Sequence, residues 1–87
     1  MNETILVVDD EVSICQSLKA ILEDEGYQVL TAGSGEEALR AAAEEMPQLV
    51  LLDIWLPGMD GLETLKAIRA AHPNMLVVMM SGHGTIE

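Results

Sequence analysis

Short apolar runs alternate along this chain with segments in which apolar residues recur at helical spacing. Four runs occur, and they occupy residues 5–8, 27–32, 49–52 and 75–80. Each of the three intervening segments repeats apolar residues three or four positions apart and closes at glycine or proline. This alternation is typical of a parallel sheet with helices on both faces. Because the crossovers of such sheets are right-handed, we predict a doubly wound α/β domain.

Two of the predicted helices begin at capping sequences. Ser34 followed by Glu37, and Asp60 followed by Glu63, have the spacing of a capping box, in which two side chains satisfy the first amides of a helix. The apolar residues of the first predicted helix are Ile14, Leu18, Ile21 and Leu22. Those of the third are Leu62, Leu65 and Ile68. Because both sets recur at helical spacing, they predict amphipathic helices.

The composition excludes several classes of protein. The 87 residues hold 4 lysines and arginines against 15 acids, which gives a net charge of −11. So acidic a chain is unsuited to bind nucleic acid or an anionic membrane surface directly. Cys15 is the single cysteine, no apolar run approaches the ~18 residues of a membrane span, and the start has no basic secretory signal. We therefore expect one small cytoplasmic domain.

Acidic and hydroxyl side chains follow three of the predicted strands. Asp9, Asp10 and Glu11 follow the first run, Asp53 follows the third, and Ser81 follows the fourth. Ligands of open parallel sheets bind beyond the carboxyl ends of the strands, where these residues would meet. Carboxylates so close together repel, and a hard cation such as Mg²⁺ would relieve the repulsion. An aspartate beside Mg²⁺ can act as a nucleophile toward phosphorus, and a serine hydroxyl can donate to a phosphoryl oxygen.

Two alternatives use the same residues. Asp10 or Glu11 alone can cap the first helix, because acids after strands are common helix caps. A nucleophilic aspartate at a strand end also occurs in phosphatases of the haloacid-dehalogenase type. Those enzymes place a second aspartate two residues later, where this chain has Trp55. The joint occurrence of acids after two strands and a serine after a third favours the magnesium site.

A glycine-rich segment has the pattern of a dinucleotide-binding turn. Residues 33–38 fit G-x-G-x-x-A after a predicted strand, and Asp53 lies 20 residues after Gly33. Glu36 and Glu37, however, place negative charge at the helix N-terminus, where a pyrophosphate needs unopposed amides. We interpret this segment as a turn and helix cap.

Three segments together resemble the receiver domain of response regulators. They are residues 5–11, 51–61 and 80–84, and they occur in the order and spacing of that family. The tail, residues 81–87, is similar to receivers attached to transcriptional activators of the nitrogen-regulation type. The resemblance covers the whole chain and implies a flavodoxin-like sheet with strand order 2-1-3-4-5.

The resemblance also implies a role for each site residue. Asp53 would accept a phosphoryl group from a sensor histidine kinase. Asp10 and Asp53 would bind Mg²⁺ directly, Asp9 would bind it through water, and the backbone carbonyl of Trp55 would be a further ligand. Ser81 would hold the phosphoryl group and couple it to loop rearrangement. The domain would be a switch with self-catalysed phosphotransfer and dephosphorylation, and not a conventional enzyme.

The chain departs from the family pattern after its fourth strand. The family has a fifth strand that ends in a lysine, whereas the two lysines here, Lys19 and Lys66, lie in predicted helices. We therefore expect residues 1–87 to form a receiver domain truncated at its C-terminal end, with strand order 2-1-3-4. Phosphorylation would then switch an output domain in the full-length protein.

An alternative function follows from the same departure. Without the lysine, the 87-residue chain would be a receiver-like interaction module that is not phosphorylated and mainly self-associates. Its fourth strand, residues 75–80, would be an apolar sheet edge without charge, proline or glycine. Because such edges pair readily with other chains, we expect a homo-oligomer joined through this strand.

Overall fold

The computed structural model describes residues 3–80 of the chain. Its strands are β1 (Thr4–Val8), β2 (Gln28–Ala32), β3 (Leu49–Asp53) and β4 (Leu76–Met80). Its helices are α1 (Val12–Asp24), α2 (Gly35–Glu45) and α3 (Gly61–Ala71). The alternation predicted from the apolar runs is confirmed, although β2 and β4 each begin one residue later than predicted. No helix within residues 3–80 has both the length and the apolar character needed to cross a membrane.

All four strands are parallel and lie in the order β2-β1-β3-β4. This confirms the flavodoxin-like strand order over the described residues. Val8, near the end of β1, lies opposite Ala32 on one side and Leu52 on the other. The carboxyl ends of the three strands are therefore level, so that residues following them meet at one edge of the sheet.

Helices cover both faces of the sheet. Because side chains of a strand alternate between faces, β1 contributes to two separate cores. The core beneath α2 and α3 consists of Leu6, Val8, Ala32, Ala38, Val50, Leu52, Leu56 and Ile68. The core beneath α1 consists of Ile5, Val7, Cys15 and Val29. The strands thus have the burial expected of a doubly wound sheet.

Two apolar side chains at helical spacing are exposed. Ile21 is 60% exposed, because α1 packs against β1 and β2 and Ile21 lies outside the core that they form. Leu62 is 58% exposed in the first turn of α3, which is anchored further along by the fully buried Ile68. The helical period predicted both helices correctly but did not define the limits of their buried faces.

The two predicted capping boxes have different outcomes. The Asp60 carboxylate accepts from the Glu63 N–H at 2.9 Å, and the Glu63 carboxylate accepts from the Asp60 N–H at 3.2 Å, which confirms the box of α3. At α2, Ser34 Oγ accepts from the Glu37 N–H at 3.1 Å. The Glu37 carboxylate bonds instead to the N–H of Gly33, one residue earlier, at 2.8 Å. The predicted hydrogen bond from the Ser34 N–H to the Glu37 carboxylate, the reciprocal half of the capping box, is therefore wrong.

Candidate metal and phosphoacceptor site

Neighbouring strands bring two buried aspartates together. Asp53 is the last residue of β3, and Asp9 directly follows β1. Since Val8 and Leu52 are partners in the parallel ladder, the next residue of each strand lies at the same level. The side chains of Asp9 and Asp53 are 1% and 0% exposed, whereas Asp10 is exposed. The sheet register thus confirms that the acids predicted from the strand ends converge.

The carboxylates form a compact cluster of oxygen atoms. Asp9, Asp10 and Asp53 each offer one oxygen, and these three atoms lie within 4.8 Å of one another. Asp9 Oδ1 accepts from the backbone N–H of Glu11 at 2.9 Å. Asp53 Oδ1 accepts from the backbone N–H of Trp55 at 3.0 Å. Both buried carboxylates are therefore oriented by the backbone of the loop that follows their strand.

The alternative of a helix cap for the acids after β1 is not supported at α1. Glu11 occupies the N-cap position, but its side chain makes no cap hydrogen bond. The Glu11 amide instead donates to Asp9, which lies inside the cluster. The Glu11 side chain therefore does not cap α1, and the backbone of Glu11 instead orients a carboxylate of the cluster.

The donor set fits a hard divalent cation. Oxygen ligands about 2.1 Å from an octahedral Mg²⁺ are about 3–4 Å apart. The separation of up to 4.8 Å in the cluster is slightly wider, so small side-chain rotations or one intervening water would complete such an arrangement. Burying two carboxylates also costs free energy unless a cation compensates their charge. The cluster therefore has the appropriate chemistry for Mg²⁺.

The loop after Asp53 depends on close backbone packing at Gly61. A Cβ atom at this position would lie 2.6 Å from the carbonyl oxygen of Asp53 and 2.7 Å from the Cα of Ile54. Only glycine lets the start of α3 lie against the end of β3. This requirement could not be recognised in the sequence, where Gly61 has the appearance of an ordinary turn residue.

Trp55 and Ser81 were also predicted to belong to the site. Trp55 contacts Asp53 through its amide, and its side chain is 61% exposed, as expected if only its backbone serves the site. Ser81 lies outside the described residues; β4 ends at Met80, which is the ladder partner of Asp53. Lys19 lies in α1 and pairs with Glu23 at 3.2 Å.

Cys15 lies directly behind the cluster, which the sequence did not indicate. Its thiol is 7% exposed and donates to the backbone carbonyl of Asp9 at 3.3 Å. Burial, together with the negative charge of Asp9, raises the pKa of the Cys15 thiol. The thiol is therefore protonated at neutral pH and acts as a small packing and hydrogen-bonding group. The sequence signal for its burial is the helical spacing of Cys15 with the apolar residues Leu18 and Leu22, which pack in the same core.

The glycine-rich segment before α2 is occupied by the chain's own side chains. The amides of Gly33 and Glu37 donate to Glu37 and Ser34 side chains. A pyrophosphate would need these amides, so the geometry agrees with a turn and helix cap.

The family of the chain follows from its match to known proteins. Residues 5–87 match the response regulator receiver domain. The chain therefore belongs to the response regulator receiver domain family, the signalling domains of two-component systems that interact with sensor histidine kinases. This confirms the resemblance seen in the three sequence segments.

Solved structures share the fold closely. A CheY-like receiver domain protein from Methanospirillum hungatei JF-1 is 38% identical, with a TM-score of 0.92, and the match covers 99% of this chain and 69% of that chain. NtrX from Brucella abortus is 48% identical with a TM-score of 0.85, and the match covers 91% of this chain and 18% of that chain.

The curated relatives include a regulator of nitrogen assimilation. The nitrogen assimilation regulatory protein NtrX of Azorhizobium caulinodans is 51% identical over 89 residues, which cover 100% of this chain and 20% of that protein. Sporulation initiation phosphotransferase F of Bacillus subtilis is 42% identical over 87 residues, which cover 100% of this chain and 70% of that protein. The chain thus spans about a fifth of the length of the first relative. The similarity to this relative is consistent with the resemblance of the tail to receivers of nitrogen-regulation activators.

Proposed function

We propose that this chain is a phosphoacceptor, in which Asp53 takes a phosphoryl group from a phosphorylated histidine of a sensor kinase. The observation that carries the proposal is the convergence of Asp9, Asp10 and Asp53 within 4.8 Å in a member of the receiver family. In a longer protein that continues past residue 87, the phosphorylated domain would switch a transcriptional output domain. The similarity to a nitrogen assimilation regulatory protein supports this part of the proposal.

The proposed reaction is one phosphoryl transfer. A carboxylate oxygen of Asp53 attacks the phosphorus atom of the phosphohistidine, and an O–P bond forms as the N–P bond breaks. The electron pair of the broken bond stays on the departing nitrogen, which takes a proton and leaves as neutral imidazole. The Trp55 amide holds Asp53 in place through its 3.0 Å hydrogen bond. Water later cleaves the acyl phosphate and releases inorganic phosphate and the Asp53 carboxylate.

The metal ligands in this proposal come from both central strands. Asp10 and Asp53 would bind Mg²⁺ directly, Asp9 would bind it through water, and the Trp55 carbonyl would be a further ligand. The ion, when bound, neutralises charge on the phosphoryl oxygens and on the acidic cluster. The oxygen-only donor set and the burial of Asp9 and Asp53 support this arrangement.

Mg²⁺ is expected to quench or enhance the fluorescence of Trp55 in a saturable way. Trp55 is the only tryptophan and adjoins the cluster through its amide bond to Asp53. Asp10→Asn removes a direct ligand and should weaken the apparent affinity for Mg²⁺ at least about tenfold. A tenfold loss corresponds to about 1.4 kcal/mol of binding free energy. Asp60→Asn removes the same charge from the cap of α3, outside the cluster, and serves as the matched control.

Two results of this titration would contradict the metal proposal. One is the absence of any saturable change in the unmodified chain at millimolar Mg²⁺. The other is an equal loss of affinity in the Asp10→Asn and Asp60→Asn chains, because only general charge would then matter.

The position of the lysines favours a second candidate for the 87-residue chain. Within the described residues both lysines are on helices, Lys19 in α1 and Lys66 in α3, and Lys19 pairs with Glu23. We propose that Ser81 contacts the phosphoryl group. The lysine that the family places at the end of its fifth strand, beside that group, has no counterpart among these 87 residues. The chain on its own would then act mainly as an interaction module.

Phosphorylation of the 87-residue chain by acetyl phosphate should be slower than that of a receiver domain that has the lysine at the end of its fifth strand. A hydrogen bond to a charged group contributes about 1.5–3 kcal/mol, so its loss corresponds to roughly a 10- to 100-fold lower rate. Parallel labelling of both chains with acetyl phosphate and Mg²⁺ measures this ratio. Equal rates would show that the lysine is dispensable and would remove the support for the interaction module.

A further inference from the structure

The loop between β3 and α3 carries Trp55, whose backbone carbonyl belongs to the proposed metal site. Hydrogen bonds fix the start of this loop. The Ile54 N–H donates to the Met80 carbonyl at 2.9 Å, and the Ile54 carbonyl accepts from the Gly61 N–H at 3.3 Å. Leu56 is 5% exposed and packs in the core beneath α2 and α3. The residues on both sides of Trp55 are therefore held in place.

The turn of the loop is anchored by the apolar side chain of Met59. Pro57 and Gly58 are exposed, whereas Met59 is half-buried. Gly58 has a φ of 68°, the left-handed backbone conformation that glycine adopts in turns. Because Met59 follows Trp55 by four residues, the contacts of Met59 limit how far the turn can move.

Met59 packs against Gly35, the first residue of α2. A Cβ atom at Gly35 would lie 3.0 Å from both Cγ and Sδ of Met59, so the thioether occupies the space that a side chain would need. The same Cβ would overlap the hydroxyl oxygen of Thr64. Thr64 is fully buried, and its hydroxyl donates to the Asp60 carbonyl at 2.9 Å. The turn of the loop and the start of α3 therefore both contact α2 at Gly35.

We propose that Met59 is a positioning residue of the metal site, because its contact with Gly35 holds the loop in the arrangement that presents the Trp55 carbonyl to Mg²⁺. This role rests on the proposed function, since Trp55 is a ligand only in that proposal. The Trp55 side chain is 61% exposed and gives its own backbone little support, so the carbonyl depends on neighbouring residues of the loop. The first turn of α2, which supplies no ligand, thereby influences the affinity for Mg²⁺.

Titration of Mg²⁺ followed by Trp55 fluorescence tests this role, at a temperature where every variant is folded. Met59→Ala removes the contact and should weaken the affinity for Mg²⁺ about tenfold, the lower end of what losing an outer contact costs a metal site. Met59→Leu keeps an apolar side chain of similar volume and should restore most of the affinity. Met46→Ala makes the same change at a 57% exposed methionine beyond the other end of α2 and should leave the affinity unchanged.

A second pair of variants alters the same contact from the side of α2. Gly35→Ala places a methyl group against Met59 and Thr64, and should also weaken the affinity for Mg²⁺ about tenfold. Gly33→Ala adds the same methyl group two residues earlier, where the nearest atom is a Glu37 carboxylate oxygen at 3.7 Å. This control should bind Mg²⁺ as the unmodified chain does.

Amide hydrogen exchange of the metal-free chain provides a readout that does not depend on the ion. The N–H groups of Trp55 and Gly61 donate to Asp53 and Ile54, so their exchange reports how often the loop opens. Both should exchange roughly tenfold faster in the Met59→Ala chain, because the turn has lost its anchor. In the chain with the control substitution at Met46, both should exchange at the unmodified rate.

The unmodified chain distinguishes failure of this role from failure of the proposed function. If it shows no saturable response to Mg²⁺, the proposed metal site is wrong and the positioning role is wrong with it. If it binds Mg²⁺ and the Met59→Ala chain binds equally well, the positioning role alone is wrong, and a lower melting temperature would then mean that Met59 supports only the fold. An equal loss of affinity in the Met46→Ala chain would also overturn the positioning role.

Discussion

Asp53→Asn is expected to reduce phosphorylation by acetyl phosphate to the level of a reaction without protein. The amide lacks the charged oxygen that attacks phosphorus, and Asp9 and Asp10 do not replace it because the proposed roles of both are to hold the metal ion. Labelling is measured by intact mass, in the presence and absence of Mg²⁺. Asp60→Asn, which makes the same chemical change outside the cluster, should label normally.

The same substitution should leave the domain folded and more stable. Asp53 is fully buried within 4.8 Å of two other carboxylates, so neutralising it relieves repulsion of about 1–4 kcal/mol. Without Mg²⁺, thermal unfolding of the Asp53→Asn chain should therefore occur at a higher temperature than that of the unmodified chain. A loss of labelling that came with unfolding would mean that the residue acts through structure and not as the phosphoacceptor.

Gly61→Ala is expected to destabilise the domain by about 2 kcal/mol. The added Cβ would meet three backbone atoms of Asp53 and Ile54 at 2.6–2.8 Å, and backbone cannot move aside as a side chain can. Overpacking of this kind costs about 1–3 kcal/mol. For a domain of this size, the melting temperature should fall by roughly 8–16 °C. Phosphorylation should fall as well, because the clash displaces the end of β3.

Gly33→Ala is the matched control for this prediction. A Cβ at Gly33 would contact only the flexible Glu37 carboxylate, at 3.7 Å, so stability should change by less than about 0.5 kcal/mol. Both variants are compared at the same protein concentration. Equal stability of the two variants would show that α3 can move away from β3 at little cost.

The fold class was predictable because strand and helix periods differ. The runs around residues 5–8 and 49–52 are continuously apolar, as expected for central strands, and both lie in the middle of the sheet. Which run pairs with which is not encoded in these periods, and the strand order came from the family resemblance. The structure then confirmed that order.

The acidic cluster was predictable because its residues lie at the carboxyl ends of strands. Asp9 directly follows β1 and Asp53 ends β3, and parallel strands deliver their carboxyl ends to one edge of the sheet. Gly61 and Cys15 were not recognised as parts of the site, because their roles depend on contacts between distant segments. Gly61 meets the backbone of β3, and Cys15 meets the carbonyl of Asp9. The contact of Gly61 leaves no local pattern in the sequence, and the helical spacing of Cys15 with Leu18 and Leu22 indicates burial but not the contact with Asp9.

Location of the phosphoryl group on the unmodified protein tests the central proposal most directly. The chain is incubated with acetyl phosphate and Mg²⁺, the acyl phosphate is reduced with borohydride, and peptides are sequenced by mass spectrometry. The proposal predicts one reduced residue, Asp53, and none when Mg²⁺ is removed by a chelator. Modification of Asp9 or Asp10 instead, or Mg²⁺-independent modification, would contradict it.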